Sequence, residues 1–244
     1  MLKDEEDAFG QLLRDYYDGK GAFEIIERDD GFFEGSRDPR VYFSLYLDWP
    51  SLEKTALQRV YGDVLDIGCG AGRHALYLQL QGFEVVGIDV SPLAIEVCKQ
   101  RGLRSAFVTS LDDLDSELGI FDTILLLGGN FGLLGNPTKA KEVLYTLSEL
   151  SSPEGKIIAQ SLDPYQTSEK YHLEYHQRNR EQGKMPGLTR IRIRYKKYVT
   201  PWMELLLVSP DEMQELLVDT NWYVKEFLQE EQSSRYFAIL MKEE

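Results

Sequence analysis

The sequence predicts an α/β fold. It is a doubly wound, mostly parallel seven-stranded sheet with an antiparallel C-terminal hairpin, an N-terminal helical and hairpin cap, and a β insertion after the fifth strand. Three observations predict it. Between Val64 and Leu162, strand-length apolar runs alternate with helix-length runs, the rhythm of parallel βαβ units. The run "FDTILLLGG" is apolar on both faces, as a central parallel strand is. The closing runs "WYVKEFLQ" and "RYFAILMK" are strand-like with no helix between them, and so pair antiparallel.

Each element has its own signal. "DAFGQLLRDYYDG" reads as a helix ending near Gly19, and "FEIIERDDGFFEG" as a hairpin turning at Asp30-Gly31. "DPRVYFSLYLDWPSLEKTALQRV" is apolar at helical spacing, rich in aromatic residues, and broken at Pro50. "DVLDI" and "FEVVGID" read as buried strands, and "RHALYLQLQ" between them as a helix stopping at Gly82. "SPLAIEVCKQRG" is a punctuated helix, with Ser91 as N-cap, Pro92 at its first position and Gly102 past its end. "RSAFVTS" is a third strand, "FDTILLLGG" a fourth, "TKAKEVLYTLSELS" a helix and "GKIIAQSL" a fifth strand. Residues 163–200 are polar and end in alternating Arg190, Arg192, Arg194 and Ile191, Ile193, Tyr195, a half-exposed strand in an insertion carrying extra β structure. "SPDEMQELLVDT" opens on a capping box of Ser209 and Glu212.

With 244 residues and 43% hydrophobic content, the chain suits one domain. It divides into a cap (1–60), a core (61–162), an insertion (163–208) and a closing helix and hairpin (209–244). No uninterrupted apolar run of about eighteen residues exists, which argues against a membrane span. The acidic N-terminus lacks the basic-then-apolar order of a secretory signal. The two cysteines, Cys69 and Cys98, fall in interior segments and fit a reduced cytoplasm. No histidine and cysteine cluster has metal-ligand spacing. A net charge of −14 disfavours nucleic acid as a partner, although residues 178–197 are basic.

The stretch "VLDIGCGAGRHA" carries the chemistry. Glycine lets a ligand lie against backbone, and a glycine turn between a parallel strand and a helix sits where such sheets bind ligands. Gly68, Gly70 and Gly72 give G-x-G-x-G, and Arg73 stands where the third glycine of a dinucleotide loop belongs, which argues against a nicotinamide oxidoreductase. Asp66 precedes the loop, placed to hold a cation or orient loop amides. Asp89 ends the next strand, where an acid accepts from both hydroxyls of a ribose. A ligand with a ribose, an amino-acid tail and no pyrophosphate is S-adenosylmethionine.

"VLDIGCGAG", "VVGIDVSPLAIEVCKQRG" and "FDTILLLGGNFGLLG", in this order and followed by the closing helix and hairpin, resemble the successive motifs of class I S-adenosylmethionine-dependent methyltransferases. The resemblance covers residues 61–162. It implies that Asp66, Gly68, Cys69 and Gly70 line the methionine part, that Asp89 holds the ribose, and that Val90 lies beside the adenine. It implies that Ser110 and Leu111 meet the adenine, with Asp112 as a further hydrogen-bond partner. Leu111 stands where the family often has an aspartate. Leu127 and Gly128 are expected to face the cofactor, and Asn130 to sit beside the transferred methyl as the catalytic candidate. An asparagine bonding its own turn is the competing reading of Asn130.

The resemblance further implies an aromatic lid ahead of the first motif, from which Tyr42 and Tyr46 are expected to bind substrate; core packing accounts for other rings there. Tyr165, Tyr175 and Trp202 are expected to close the pocket from the insertion. Arg192, with Arg190 and Arg194, is expected to hold an anionic substrate if its face turns inward. His172 and His176 are four apart but lack a third metal ligand, so the reading is two solvent-facing histidines, and His74 reads as structural. The expected activity is methyl transfer to a small-molecule acceptor, with S-adenosylhomocysteine as product, in the cytoplasm. The alternatives are an RNA or protein methyltransferase and a non-catalytic S-adenosylmethionine- or nucleoside-binding protein.

Overall fold

The structure is a computed structural model. It describes residues 2–231 and 233–243, without the side chains of residues 36 and 37. In chain order the elements are α1 (Ala8–Tyr17), β1 (Glu24–Arg28), β2 (Phe33–Arg37), α2 (Ser51–Leu57), β3 (Val64–Ile67), α3 (Arg73–Leu80), β4 (Val85–Asp89) and α4 (Pro92–Gln100). Then follow β5 (Ser105–Val108), β6 (Phe121–Leu126), α5 (Pro137–Glu149), β7 (Ser151–Leu162), α6 (Lys170–Glu181), β8 (Leu188–Tyr195) and β9 (Tyr198–Val199). The chain closes with β10 (Met203–Leu206), α7 (Pro210–Leu217), β11 (Trp222–Gln229) and β12 (Arg235–Lys242). One sheet has seven strands in the order β11-β12-β7-β6-β3-β4-β5, and a second runs β10-β8-β1-β2 with β9 paired to β8. β3, β4 and β5 are parallel, as are β6 and β7, while β12 is antiparallel to both β7 and β11. This is the predicted fold class.

The chain forms two compact units. The first comprises residues 1–50, 61–114 and 191–203. Here α1 starts at Asp7, whose side chain accepts from Gly10 N–H at 2.9 Å, and its apolar face packs with the α4 residues Ala94 and Val97. The hairpin β1–β2 turns at Gly31 (φ +85°) as expected, and β8 adds antiparallel to β1 with Ile26 opposite Ile193. The segment before Pro50 is not a helix. It forms two short 3-10 turns, Pro39–Phe43 and Tyr46–Asp48. Its large rings have found fixed neighbours instead: Tyr46 stacks on Tyr77 at 4.4 Å, and Trp49 donates its indole N–H to the Ser44 carbonyl at 3.1 Å.

The second unit comprises residues 51–60, 115–190 and 204–244. β6 buries Ile124 to Leu126, and β7 buries Ile157 to Ala159. α7 carries the predicted capping box: Glu212 N–H donates to Ser209 Oγ at 3.2 Å, and Ser209 N–H donates to the Glu212 carboxylate at 2.9 Å. The insertion carries the expected extra β structure in β8, β9 and β10, and with it a helix, α6, that the sequence reading did not assign. This helix buries Tyr175, His176 and Asn179 rather than an aliphatic stripe. Asn179 donates to the Leu188 carbonyl at 2.7 Å and the Pro186 carbonyl at 3.0 Å, which ties the helix to the start of β8.

Candidate cofactor site

In the first unit the four residues of β3 are all buried, and the strand ends in the loop 68–72. Cys69 N–H donates to the Ile88 carbonyl at 2.9 Å, and Gly72 N–H to the Cys69 carbonyl at 2.8 Å. That bend puts Gly70 and Gly72 in the left-handed region, at φ +54° and +78°. A side chain at 72 would also run into Cys98 Sγ. Gly72 caps α3, so the loop amides and the first turn of α3 lie together at the carboxyl end of the sheet.

Two buried carboxylates flank this loop. Asp66, on β3, is 2% exposed, and its Oδ2 has no hydrogen-bond partner. Burial pushes its carboxyl up to about 7; the Ala75 backbone N–H opposes this and the charge of Asp89 adds to it. Asp89, at the end of β4, accepts from Gly70 N–H through Oδ2 and from Ser91 N–H through Oδ1, both at 2.9 Å. Burial raises it to about 6, the Ser91 and Gly70 amides pull it back, and the charge of Asp7 raises it further. The Val90 backbone N–H is a third donor to this carboxylate, whose two oxygens together offer about four acceptor positions, so one position remains. A lone buried oxygen beside a backbone cradle fits a cationic amino-acid tail, and the remaining acceptor position on Asp89 fits a sugar hydroxyl.

The other expected cofactor residues of this unit cluster around the same strand ends. Val90 is 40% exposed next to Asp89. β5 runs beside β4 with Val108 opposite Asp89, and Thr109 N–H donates to the Asp89 carbonyl at 3.0 Å. The chain then delivers Ser110 and the 3-10 turn Leu111–Asp113, where Ser110 Oγ donates to Asp113 Oδ2 at 2.6 Å and Asp112 is exposed.

Sequence reasoning missed the residues that brace the loop. Asp7 Oδ2 accepts from Leu93 N–H at 3.2 Å, and Gly10 passes so close to Ser91 that a side chain there would collide with it. This seats Phe9 about one van der Waals contact, 3.6 Å, from where a side chain on Gly70 would begin. Arg101 donates to the Ala71 carbonyl at 2.5 Å, with its guanidinium over the Phe43 ring at 4.9 Å. These contacts join residues far apart in sequence, and only the glycine at position 10 inside a helix hinted at one of them.

Tyr42 donates to Glu24 Oε2 at 2.9 Å, and its ring meets Phe9 edge-on at 5.1 Å, so it stands beside the residue that overlies the loop. Tyr46 belongs to a separate ring cluster with Trp49 and Tyr77. His74 is buried against Trp49; burial and then the charge of Arg73 hold its pKa well below the usual value. It is a neutral acceptor for the Arg73 guanidinium, at 3.2 Å from Nε. Arg192 forks onto Glu27 at 2.8 and 3.0 Å and lies over the Trp202 ring at 4.3 Å. Arg194 binds the same carboxylate, and Arg192 first, then Arg194, pulls Glu27 down to about 2.

In the second unit, Leu127 is buried at the end of β6, and Gly128 N–H donates to Gln160 Oε1 of β7 at 2.6 Å. Asn130 opens a 3-10 turn that runs to Leu134, with Gly129 before it in the left-handed region at φ +87°. Tyr165 donates to Glu212 Oε1 at 2.5 Å, and burial, then Glu212, pushes its phenol up to about 12. Tyr175 is buried, and its hydroxyl accepts from Arg190 N–H at 3.2 Å. His176 is also buried, 5% exposed, which corrects the expectation of two solvent-facing histidines: α6 turns that face inward. Among the described residues no group of three or more His, Cys, Asp or Glu could hold a metal ion, and no helix is long and apolar enough to cross a membrane.

Comparison with known proteins agrees with the fold. Residues 64–155 match the family described as "Methyltransferase domain". A 2-heptyl-1-hydroxyquinolin-4(1H)-one methyltransferase of Mycobacteroides abscessus is 40% identical over 73 residues, 28% of this chain and 32% of that protein. A ubiquinone biosynthesis O-methyltransferase of Xanthomonas oryzae is 28% identical over 106 residues, 41% of this chain and 43% of that one. The chain thus spans less than half the length of these curated relatives. A crystal structure of a SAM-dependent methyltransferase from Bacteroides fragilis, in complex with S-adenosyl-L-homocysteine, superposes with a TM-score of 0.85 at 27% identity, over 100% of this chain and 98% of that one.

Proposed function

We propose that this chain, which belongs to the class I S-adenosylmethionine-dependent methyltransferases, transfers a methyl group to a small-molecule acceptor in the cytoplasm as a single catalytic domain. The observation that carries the reading is the partnerless buried oxygen of Asp66 beside a backbone loop pinned by Asp89. Both features are wasted in a loop that serves packing alone, because an unsatisfied buried oxygen costs about 1–3 kcal/mol.

In this reading Asp66, Gly68, Cys69 and Gly70 receive the methionine end, Asp89 the ribose, and Val90, Ser110, Leu111 and Asp112 the adenine. When bound, S-adenosylmethionine supplies an electrophilic methyl on a sulfonium centre. The residues of the chain have to position the acceptor and exclude water, and a base is needed only for an acceptor that arrives protonated. Asn130 is the catalytic candidate for orienting the acceptor. Tyr165, in the same unit as Asn130, offers it a phenol group. Arg192 enters as a contact to an anionic acceptor, with Glu27 holding its fork rigid. That ion pair also lowers the charge available to a polyanion, which favours a small acceptor over RNA. The relatives named as acting on a hydroxyquinolinone and in ubiquinone biosynthesis support an aromatic hydroxyl compound as first choice.

The test is calorimetric titration with S-adenosylhomocysteine, followed by transfer of a labelled methyl to a panel of phenols and hydroxyquinolones. Binding in the micromolar range and label in a small product are expected. Absence of binding refutes the cofactor site, and label found only in RNA or protein refutes the acceptor class.

A further inference from the structure

The two cysteines of the chain, 29 residues apart in sequence, meet in space. Cys69 lies inside the cofactor loop and Cys98 on α4, and their sulfurs are 3.9 Å apart. We propose that Cys69 and Cys98 are a modification site, a dithiol that a hydroperoxide oxidises to a disulfide, and that the disulfide switches off cofactor binding. The inference rests on the reading of loop 68–72 as the cofactor cradle.

Geometry favours the bond and makes it disruptive. A disulfide holds its sulfurs at about 2.05 Å, so the pair must close by nearly 2 Å. Cys98 is fully buried in a helix, with Gly72 pressed against its sulfur. Cys69 sits in a bend held by two loop hydrogen bonds, from its own N–H to Ile88 and from Gly72 N–H to its carbonyl. The loop therefore moves and the helix stays. The neighbouring Gly70 N–H then leaves Asp89 Oδ2, and the cradle loses its shape.

The chemistry balances. The Cys69 thiol, 8% exposed and the more accessible of the two, gives up its proton and attacks one peroxide oxygen, forming a sulfenic acid and releasing water. The Cys98 sulfur then attacks the Cys69 sulfur, the S–S bond forms, and the sulfenic oxygen leaves as a second water. The two thiols lose two electrons and two protons, and the peroxide accepts both. The hydrogen bond with Cys98, burial, and the charges of Asp89 and Asp66 all push the Cys69 thiol up. Attack is correspondingly slow, so the site records sustained oxidation rather than brief pulses.

The experiment treats the full reduced chain with hydrogen peroxide for hours. It then measures intact mass, maps crosslinked peptides, and titrates S-adenosylhomocysteine before and after addition of dithiothreitol. The expected result is loss of two hydrogens, a Cys69–Cys98 linked peptide, and an affinity lower by about tenfold or more, the worth of one lost charge-assisted hydrogen bond, restored by reductant. The variants Cys98→Ala and Cys98→Ser should bind the cofactor when reduced and form no crosslinked peptide after peroxide. Peroxide treatment that yields no such link, or a link that leaves affinity unchanged, overturns the switch alone. Failure of the reduced wild-type chain to bind overturns the cofactor reading and the switch with it.

Discussion

Replacing Asp66 with Asn should make the unliganded protein more stable at alkaline pH while weakening cofactor binding. The folded chain holds this carboxyl at about 7 against an ordinary 3.8, chiefly through burial. Between these values the folded state keeps a proton that the unfolded state has released. Stability is therefore full below the unfolded value and falls as pH rises through the folded one, by about 4 kcal/mol in all. Asn has the same shape and no charge, but its amide nitrogen takes the place of an oxygen that has no partner, at a cost of about 1–3 kcal/mol. At about pH 8 the variant should gain about 1–3 kcal/mol over wild type. At about pH 5, where Asp66 is already neutral in the folded chain, it should gain nothing or lose about 1 kcal/mol. Asp89 titrates in both proteins and largely cancels in the difference. Urea unfolding followed by circular dichroism at the two pH values measures this, and calorimetry should show S-adenosylhomocysteine affinity lower by roughly 10- to 100-fold. A variant destabilised equally at both pH values, or one that binds like wild type, refutes the reasoning.

Three further outcomes follow from the same structure. Gly72→Ala places a methyl on Cys98 Sγ at a left-handed φ, and should lower stability by about 2–4 kcal/mol, read as a melting temperature lower by roughly 5–15 °C; an unchanged melting curve contradicts the described bend. Phe9→Ala removes the ring nearest Gly70 and should weaken S-adenosylhomocysteine binding by about fivefold, with a smaller effect on melting; equal binding means that α1 does not cover the ligand. Asn130→Ala should lower turnover by about tenfold or more while cofactor affinity stays within about twofold, and a loss of affinity alone would remove it from the chemistry.

What could be read in advance was local. Ser91 and Pro92 start α4, and Ser209 with Glu212 starts α7, because a cap needs only its own four residues. The glycine loop and its two aspartates were legible for the same reason: a bend, a close approach and a strand-end acid leave marks at fixed spacing. α6 was not legible as a helix, since "KYHLEYHQRNRE" has no aliphatic stripe and buries Tyr175, His176 and Asn179 through polar and aromatic contacts. The rings before Pro50 have helical spacing, yet stacking and an indole hydrogen bond fixed them in 3-10 turns. Phe9, Asp7 and Arg101 could not be attached to the site at all, because each acts across a long stretch of chain.

The seating of α1 has a practical side. Through Asp7 and Phe9, the opening residues act as a strut against the ligand cradle, with Leu93 as the distant anchor point. Affinity tags fused ahead of this helix, or trimming of the first ten residues for expression, should therefore surface as weakened ligand capture rather than as a harmless change at one end.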